Sequence, residues 1–168
     1  MPLQTKSPDG AAFQAVLDYD PETGRFWWKK RVGQRVREGH PAGSIDRAGY
    51  RIIGLKRKTI FAHRLAWFFV HGEWPRGLID HVNGDKDDNR ITNLREASVS
   101  QNQGNQHMKR NNKVGLKGVL LDHNGRYRAQ IREGGRIKHL GAFATAEEAH
   151  AAYYAAARRV FGEFARAT

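Results

Sequence analysis

The sequence predicts an α+β protein in two parts, and three observations lead to this prediction. Short runs of alternating apolar and polar residues, separated by glycines, fill much of the first hundred residues and indicate a small antiparallel sheet. One strongly polar segment, 79–94, interrupts this pattern. The last third of the chain has the pattern of three strands followed by one alanine-rich helix. We therefore expect a β-rich first part and, after it, a three-stranded antiparallel sheet packed on one helix.

Turn residues divide the first part into short elements. Asp20-Pro21-Glu22-Thr23-Gly24 is a typical turn, and Gly72 with Pro75 ends a helical pattern. Ser98 is a suitable N-cap for a further short helix. The predicted elements are a helix at 11–18, strands at 25–29, 50–55 and 59–62, a helix at 63–71, and a helix from Ser98 to about 108.

The second part begins after a basic, turn-prone stretch at 109–113, which we interpret as a linker between domains 1–108 and 114–168. Asn124-Gly125 is a strong hairpin signal, and Thr145 with Glu148 forms a capping box. The predicted elements are strands at 115–121, 126–133 and 136–143 and a helix running to about Phe161, whose buried face carries Ala149, Ala152, Tyr153, Ala156 and Val160.

The composition indicates a partner of opposite charge. The 168 residues include 29 lysines and arginines against 17 acids, which gives a formal net charge of +12. Such an excess is typical of proteins that bind nucleic acid, and its concentration in particular segments argues against a merely soluble basic protein. The chain has no cysteine, which excludes disulfides, thiolate nucleophiles and cysteine-ligated zinc. Because no membrane span or secretory signal is evident, a cytoplasmic protein is expected.

The polar segment contains the residue types that phosphodiester hydrolysis needs. The imidazole of His81 titrates near neutral pH and can take a proton from water, while Asp80 offers a hard oxygen ligand for Mg²⁺. Neighbours on a strand point to opposite faces, so the two side chains need not compete for one position. The alternative is a surface loop rich in turn formers, which explains Gly84 and the solvated acids Asp85, Asp87 and Asp88 but not the Asp-His pair.

Residues 63–66, 80–85 and 89–95, together with Asn102, resemble the HNH nuclease motif of phage and intron-encoded homing endonucleases. The resemblance implies a ββα-metal (His-Me finger) fold that holds one divalent metal ion, Mg²⁺ or Mn²⁺. It makes His81 the general base and Asn93 the middle residue, which orients the base or ties down the hairpin loop. Asp80 and Asn102 become the metal ligands. The last position of the motif is often histidine, so Asn105 is an alternative to Asn102.

Two residues near the motif have open roles. His63 is expected to be a buried, hydrogen-bonding histidine rather than a catalytic one. Arg64 is a candidate for contact with DNA phosphate, and the alternative is a place in the same structural network as His63.

Alternation in the second part predicts a basic sheet face. Tyr127, Ala129 and Ile131 are expected to point toward the helix, and the residues between them to point away. A face of planar donors suits base edges and phosphates in a DNA groove. The predicted DNA-binding residues on this face are Arg126, Arg128, Gln130 and Arg132, with Arg136 and Lys138 extending the same parity onto the next strand.

The segment from about Val114 to Ala165 is similar to the DNA-binding domain of plant Apetala and ethylene-response factors. The similarity is carried by Gly118-Val119, 126–129, 140–143, 145–149 and Ala152-Tyr153. Tryptophans common on the DNA face of the plant domains are absent, with Asn124 and His139 near those places, so the plant target sequence cannot be transferred.

Together the two resemblances imply a metal-dependent, site-specific endonuclease of the homing type. It is expected to act as a monomer on double-stranded DNA, leaving a 5′-phosphate and a 3′-hydroxyl, in the cytoplasm of a phage-infected bacterium. Two alternatives stay open. One is a non-catalytic DNA-binding regulator on the same scaffold, and the other is an RNA-binding protein, since basic sheets also hold RNA.

Overall fold

The structure, a computed structural model, describes residues 9–108 and 111–167 and divides into two compact units. The first unit ends at Glu96 and the second begins at Ala97. Two residues of the predicted linker, 109 and 110, lie outside the described residues. The linker at 109–113 and the domain limits based on it therefore stay predictions. In the part of the chain that is described, no helix combines the length and apolarity that crossing a membrane requires.

The first unit consists of small sheets around two helices. The elements are α1 (Gly10–Gln14), β1 (Leu17–Asp20), β2 (Arg25–Trp28), β3 (Ser44–Ile45), β4 (Arg51–Leu55), β5 (Lys58–Phe61), α2 (Ala62–His71), β6 (Leu78–His81) and β7 (Leu94–Ala97). The strands β1 and β2 form an antiparallel pair, β3, β4 and β5 form a three-stranded antiparallel sheet, and β6 and β7 form a two-stranded sheet.

The predicted helix at 11–18 is wrong in its second half. The helix α1 ends at Gln14, and Leu17 begins β1, where it pairs with Trp28 and is fully buried. Tertiary pairing with an aromatic strand outweighs the weak local preference for helix. Leu17 joins a core that also contains Phe13, Phe26 and Leu65. This core supports the strands that carry the candidate site.

The second unit confirms the predicted order of three strands and a helix. Its three-stranded antiparallel sheet has the strand Tyr127–Glu133 in the middle, and the helix Ala146–Phe161 packs on one side. Capping boxes begin both helices of this unit, at Ser98 with Gln101 and at Thr145 with Glu148. The elements are α3 (Val99–Asn105), β8 (Val119–Leu121), β9 (Tyr127–Glu133), β10 (Arg136–Phe143) and α4 (Ala146–Phe161).

The packing of α4 follows the predicted pattern. Ala149, Tyr153 and Ala156 are buried, and Ala152 and Val160 are partly buried against the same cluster. On the sheet, Ala129 and Ile131 face the helix and are almost fully buried, and Tyr127 packs beside them. The side chains between them therefore lie on the other side of the sheet, which we call the outer face.

The outer face differs from the prediction on its last strand. A two-residue turn pairs Glu133 with Arg136, so Ile137 lies opposite Arg132 and His139 lies opposite Gln130. Directly opposite residues share a face of an antiparallel sheet. The prediction that Arg136 and Lys138 extend the parity of the β9 arginines is therefore wrong. The outer face comprises Leu120, Arg128, Gln130, Arg132, Ile137, His139 and Ala142. Arg126 precedes β9 and donates to the carbonyl oxygen of Ala142 at 2.7 Å.

Candidate active site

The β6 strand ends in two buried polar side chains. Asp80 is 4% exposed and His81 is 5% exposed, so both are held inside the first unit. The chain then leaves β6 through the segment 82–93, which we call the acid loop, and returns as β7. The N–H of Gly84 donates to the carbonyl oxygen of His81 at 2.9 Å, and the N–H of Val82 donates to the carbonyl oxygen of Asn93 at 2.9 Å. These bonds close the loop next to His81.

Asn93 fastens the acid loop from inside. Its Oδ1 accepts a hydrogen bond from the N–H of Asn83 at 3.0 Å, and its Nδ2 donates to the carbonyl oxygen of Asp88 at 2.8 Å. The side chain is buried. The resemblance offered two roles for this residue, and its hydrogen bonds are those of a residue that ties down the loop.

The sequence predicts that Asp87 and Asp88 are solvated, but both side chains bind arginines. Asp87 accepts two hydrogen bonds from Arg51, at 2.8 and 2.9 Å. Asp88 pairs with Arg90 and also accepts from Nδ2 of Asn83 at 2.7 Å. Asp85 is exposed and accepts the backbone N–H of Asp87. The acids therefore build the loop that follows His81.

A turn from the N-terminal hairpin supports the acid loop. The N–H of Ile91 donates to the carbonyl oxygen of Pro21 at 3.1 Å. Gly24 has a positive φ of 70°, and a Cβ there would collide with the backbone of Asn89 and Arg90. Only glycine combines this conformation with so close an approach. The turn between β1 and β2 thus buttresses the site.

Asp80 forms an ion pair that the sequence analysis missed. The Nε of Arg95 on β7 donates to Oδ2 of Asp80 at 3.0 Å, and both side chains are largely shielded from water. The bond between Val82 and Asn93 sets the register that places these two residues opposite each other. Opposite charges at matching positions of the two strands were the signal that could have found the pair.

His81 belongs to a small aromatic cluster with Tyr50, Phe61 and His63. The rings of His63 and His81 lie 5.1 Å apart in an edge-to-face arrangement, and Phe61 stacks on His63 at 5.3 Å. Tyr50 lies 5.4 Å from His63 and 6.0 Å from His81. The cluster fixes the position of the His81 ring.

Burial keeps both histidines of this cluster neutral near pH 7. Desolvation lowers the pKa of His81, and the Asn89 side chain followed by Asp80 opposes this effect. Desolvation lowers the pKa of His63 to about 3, and the neighbouring His81 adds to the shift. His63 is buried as expected, but within the described residues its Nδ1 has no hydrogen-bond partner, so the predicted hydrogen-bonding role does not hold at this atom.

The predicted metal ligands lie in different units. Asp80 ends β6 in the first unit, whereas Asn102, which is half-buried, and Asn105, which is buried, lie on α3 in the second. Within 9–108 and 111–167, no three histidines, cysteines or acids are grouped so that they could hold a metal ion. Protein sites for Mg²⁺ commonly use one or two carboxylates and leave other positions to water and substrate phosphate. The buried carboxylate of Asp80 fits such a site.

The predicted DNA-binding residues differ in how they are engaged. Arg64 donates to the carbonyl oxygens of Gly77 at 2.9 Å and Pro75 at 3.0 Å, which fastens the segment before β6 to α2. These bonds fit the structural alternative for Arg64. On the outer face, by contrast, Arg128 is exposed, and its Nε lies 4.0 Å from Asp122. Exposed Leu120 and Ile137 lie among the outer-face arginines.

The hairpin with a buried Asp-His pair and an asparagine that ties its loop has the elements of a hydrolytic nuclease site. Comparison with protein families agrees, because residues 61–103 match the family model described as HNH endonuclease. The match includes Asp80, His81, Asn93 and Asn102, and it confirms the HNH part of the resemblance. It supports a nuclease that acts on DNA. Neither the curated proteins nor the solved structures gave a significant match.

Proposed function

We propose that this protein is a metal-dependent, site-specific DNA endonuclease of the homing type. The observation that carries the proposal is the buried Asp80-His81 pair at the end of β6, inside the segment that matches the HNH endonuclease family. His81 is the general base. The ββα-metal arrangement expected from the resemblance belongs to this proposal.

The imidazole of His81 suits the first proton transfer. Because burial lowers its pKa, the ring is neutral at pH 7 and can accept a proton from the attacking water. The water oxygen then bonds to phosphorus while the bond between phosphorus and the 3′-oxygen breaks, and the 3′-oxygen takes a proton from solvent. The products are a 5′-phosphate and a 3′-hydroxyl. Asn93 is a positioning residue, since it holds the loop that begins at His81.

Asp80 and Asn102 are the residues proposed to hold the divalent ion, Mg²⁺ or Mn²⁺, with Asn105 as the alternative to Asn102. When bound, such an ion would neutralise charge on the phosphate and on the leaving oxygen. Arg95 fixes the Asp80 carboxylate through the ion pair at 3.0 Å. A carboxylate held in one orientation loses less conformational entropy when it binds a ligand.

The second unit is proposed to position the cut on double-stranded DNA. Outer-face arginines and a glutamine present donors that suit phosphates and base edges. The similarity to plant DNA-binding domains supports this role. We propose a monomer on DNA, because one site per chain suffices for a nick. A phage or intron origin in a bacterial cytoplasm rests on the same resemblance.

One observation favours the alternative of a non-catalytic DNA-binding regulator. The carboxylate of Asp80 is already paired with a guanidinium, so the folded chain does not need a cation at this position. A regulator would bind duplex DNA and leave it intact in every metal.

The test is conversion of supercoiled plasmid to open-circular or linear DNA in Mg²⁺, in Mn²⁺ and in EDTA. The proposal predicts metal-dependent conversion, and end-labelling should find 5′-phosphates at the new ends. If plasmids carrying a panel of phage DNA sequences are bound tightly but stay intact, the regulator is supported instead. Competition between duplex DNA and RNA for the protein separates the RNA-binding alternative, which predicts that RNA is preferred.

A further inference from the structure

The hairpin that joins β4 to β5 has an unusual turn. Leu55 pairs with Lys58, so Lys56 and Arg57 alone form the turn. Their φ angles are 47° and 64°, and no other non-glycine residue in the described part of the chain has a positive φ. A two-residue hairpin turn with two positive φ angles is a type I′ turn, for which Asn-Gly is the strongly preferred sequence.

Lys56 and Arg57 make this turn costly. A left-handed conformation costs an ordinary residue about 1–2 kcal/mol, and asparagine or glycine largely avoids that cost. Within the described residues, Lys56, Arg57 and Lys58 make no side-chain hydrogen bond or ion pair, and all three are exposed. Asp9 lies beside Lys56 and Lys58 in a shallow depression of about 140 Å³, where its carboxylate caps α1. Within the described residues, therefore, no side-chain hydrogen bond or ion pair of these three residues offsets the cost of the turn.

The turn lies at one end of a surface strip that leads to His81. Thr59 and Phe61 point to the same side of β5, and both are exposed. Phe61 contacts Tyr50 at 5.4 Å and His63 at 5.3 Å, and His63 contacts His81. The strand rises about 3.4 Å per residue, so Arg57, which precedes Phe61 by four residues, lies about 14 Å from it along the strip.

The strip is also basic near the site. The Nζ of Lys86 lies 4.8 Å above the ring of Tyr50 and donates to the carbonyl oxygen of Ala48. One cation therefore lies next to the aromatic cluster, and three more lie at the turn. A strand of DNA advances about 3.4 Å per nucleotide, so the distance from Arg57 to Phe61 spans roughly four nucleotides, and His81 lies beyond Phe61.

We propose that the basic turn, Lys56 to Lys58, binds the phosphate backbone of the duplex that the protein cleaves, on one side of the scissile bond. This inference rests on the proposed function for the identity of the duplex. The strain in the turn is then explained by the two cations that it presents. If the turn binds phosphate, relieving its strain should stabilise the fold and weaken DNA binding. A merely solvated turn would be stabilised without any loss of DNA binding.

The decisive variant is Lys56→Asn with Arg57→Gly. Its melting temperature should rise, because the new residues suit the turn. Its affinity for a duplex of about 30 base pairs in EDTA should fall at least about tenfold, and the slope of log K against log salt should shrink by about 1.8, or about 0.9 for each lost phosphate contact. Lys56→Gln with Arg57→Gln removes the charges but keeps the strain, so it should lose the same affinity without the gain in stability.

A control variant, Arg35→Gln with Arg37→Gln, removes two charges from another exposed stretch of the first unit. It should keep most of the affinity. The inference is overturned if the stabilised variant binds as wild type does, or if the control loses as much affinity. Plasmid cleavage by wild type is scored separately in Mg²⁺. Wild type could fail to cleave while the turn variants, but not the control, bind duplex DNA more weakly and with a smaller salt slope. That result would support the basic turn as a DNA contact and contradict the proposed nuclease.

Discussion

The acid loop and the outer face of the second-unit sheet both carry several charged residues, and they use charge in opposite ways. In the acid loop, Asp87 and Asp88 pair with arginines, and Asn93 hydrogen-bonds to the backbone on both sides. On the outer face, Arg128 has 54% of its side chain exposed, and its nearest acid is 4.0 Å away. Charges that are satisfied internally hold a site in shape, whereas exposed charges without close partners are available to a ligand.

Substitutions in and around the acid loop should therefore change stability, while substitutions on the outer face should change DNA binding.

His63, beside His81, should show the largest effect on stability. Its folded-state pKa of about 3 lies below the ordinary value of 6.5, so the unfolded state binds the proton first as pH falls. Stability should therefore be lost between about pH 6.5 and 3, by up to about 5 kcal/mol. Denaturant unfolding of wild type and His63→Phe in EDTA tests this. Between pH 6.5 and 4.5, the free energy of unfolding should fall less in His63→Phe than in wild type. The control His40→Phe, at an exposed site, should lose as much as wild type. Equal losses in all three proteins would contradict the prediction.

Arg95→Met should be the next most damaging change, at about 3 kcal/mol, because it leaves the buried carboxylate of Asp80 without its cation. The double variant Arg95→Met with Asp80→Asn should regain part of this stability. Chemical denaturation of the four proteins of this cycle gives the coupling energy. A coupling energy near zero would show that the pair does not hold the hairpin.

Asn93→Ala should cost about 2 kcal/mol, because the N–H of Asn83 and the carbonyl oxygen of Asp88 lose their partner. Amide hydrogen exchange should show faster exchange across the acid loop and no change in the second unit. Asn111→Ala, at an exposed position, is the matched control and should be neutral. Unchanged exchange in Asn93→Ala would mean that the acids alone hold the loop.

Arg128→Ala with Arg132→Ala should leave stability within about 0.5 kcal/mol of wild type and reduce the salt slope of duplex binding by about 1.8. Fluorescence anisotropy over a salt series measures the slope. Arg136→Ala with Lys138→Ala is the control, because these residues lie on the other side of the sheet from the arginines. A larger effect from the control pair would overturn the role given to the outer face.

Asp87→Asn should have the smallest effect, below about 1 kcal/mol, because its pair with Arg51 is partly exposed to water. The loss should disappear at high salt, which screens exposed pairs more than buried ones. Thermal unfolding at low and high salt checks this. A loss as large as that of Arg95→Met would mean that exposure does not decide how much these pairs contribute.

Patterns of short range predicted much of the fold. Hairpin signals, the capping box at Thr145 and the alternation in β9 gave the three strands and the helix of the second unit, and β10 has the predicted limits. The short helix at the N-terminus was overestimated because local preference could not show that Leu17 pairs with Trp28. The prediction that Arg136 lies on the same side of the sheet as the β9 arginines was also wrong. The two-residue turn at Gly134-Gly135 contained the information needed to set the register.

The candidate site was predictable in its residue types but not in its contacts. The Asp80-His81 pair was identifiable because its chemistry is unusual in a turn-rich segment. Arg95 and the ring of Tyr50 were missed because they meet the site only through strand register and tertiary packing. The pairing of Asp87 with Arg51 spans distant positions in the chain, so no local pattern could show it.

Single-turnover cleavage by His81→Ala shows whether His81 is the general base. The substrate is a duplex that wild type cuts in Mg²⁺, with affinity measured in parallel in EDTA and His40→Ala as the control for an exposed histidine. The cleavage rate of His81→Ala should be at least about 10²-fold lower than that of wild type, at unchanged affinity, because the proton acceptor is lost. Cleavage by His81→Ala at the wild-type rate would contradict this role.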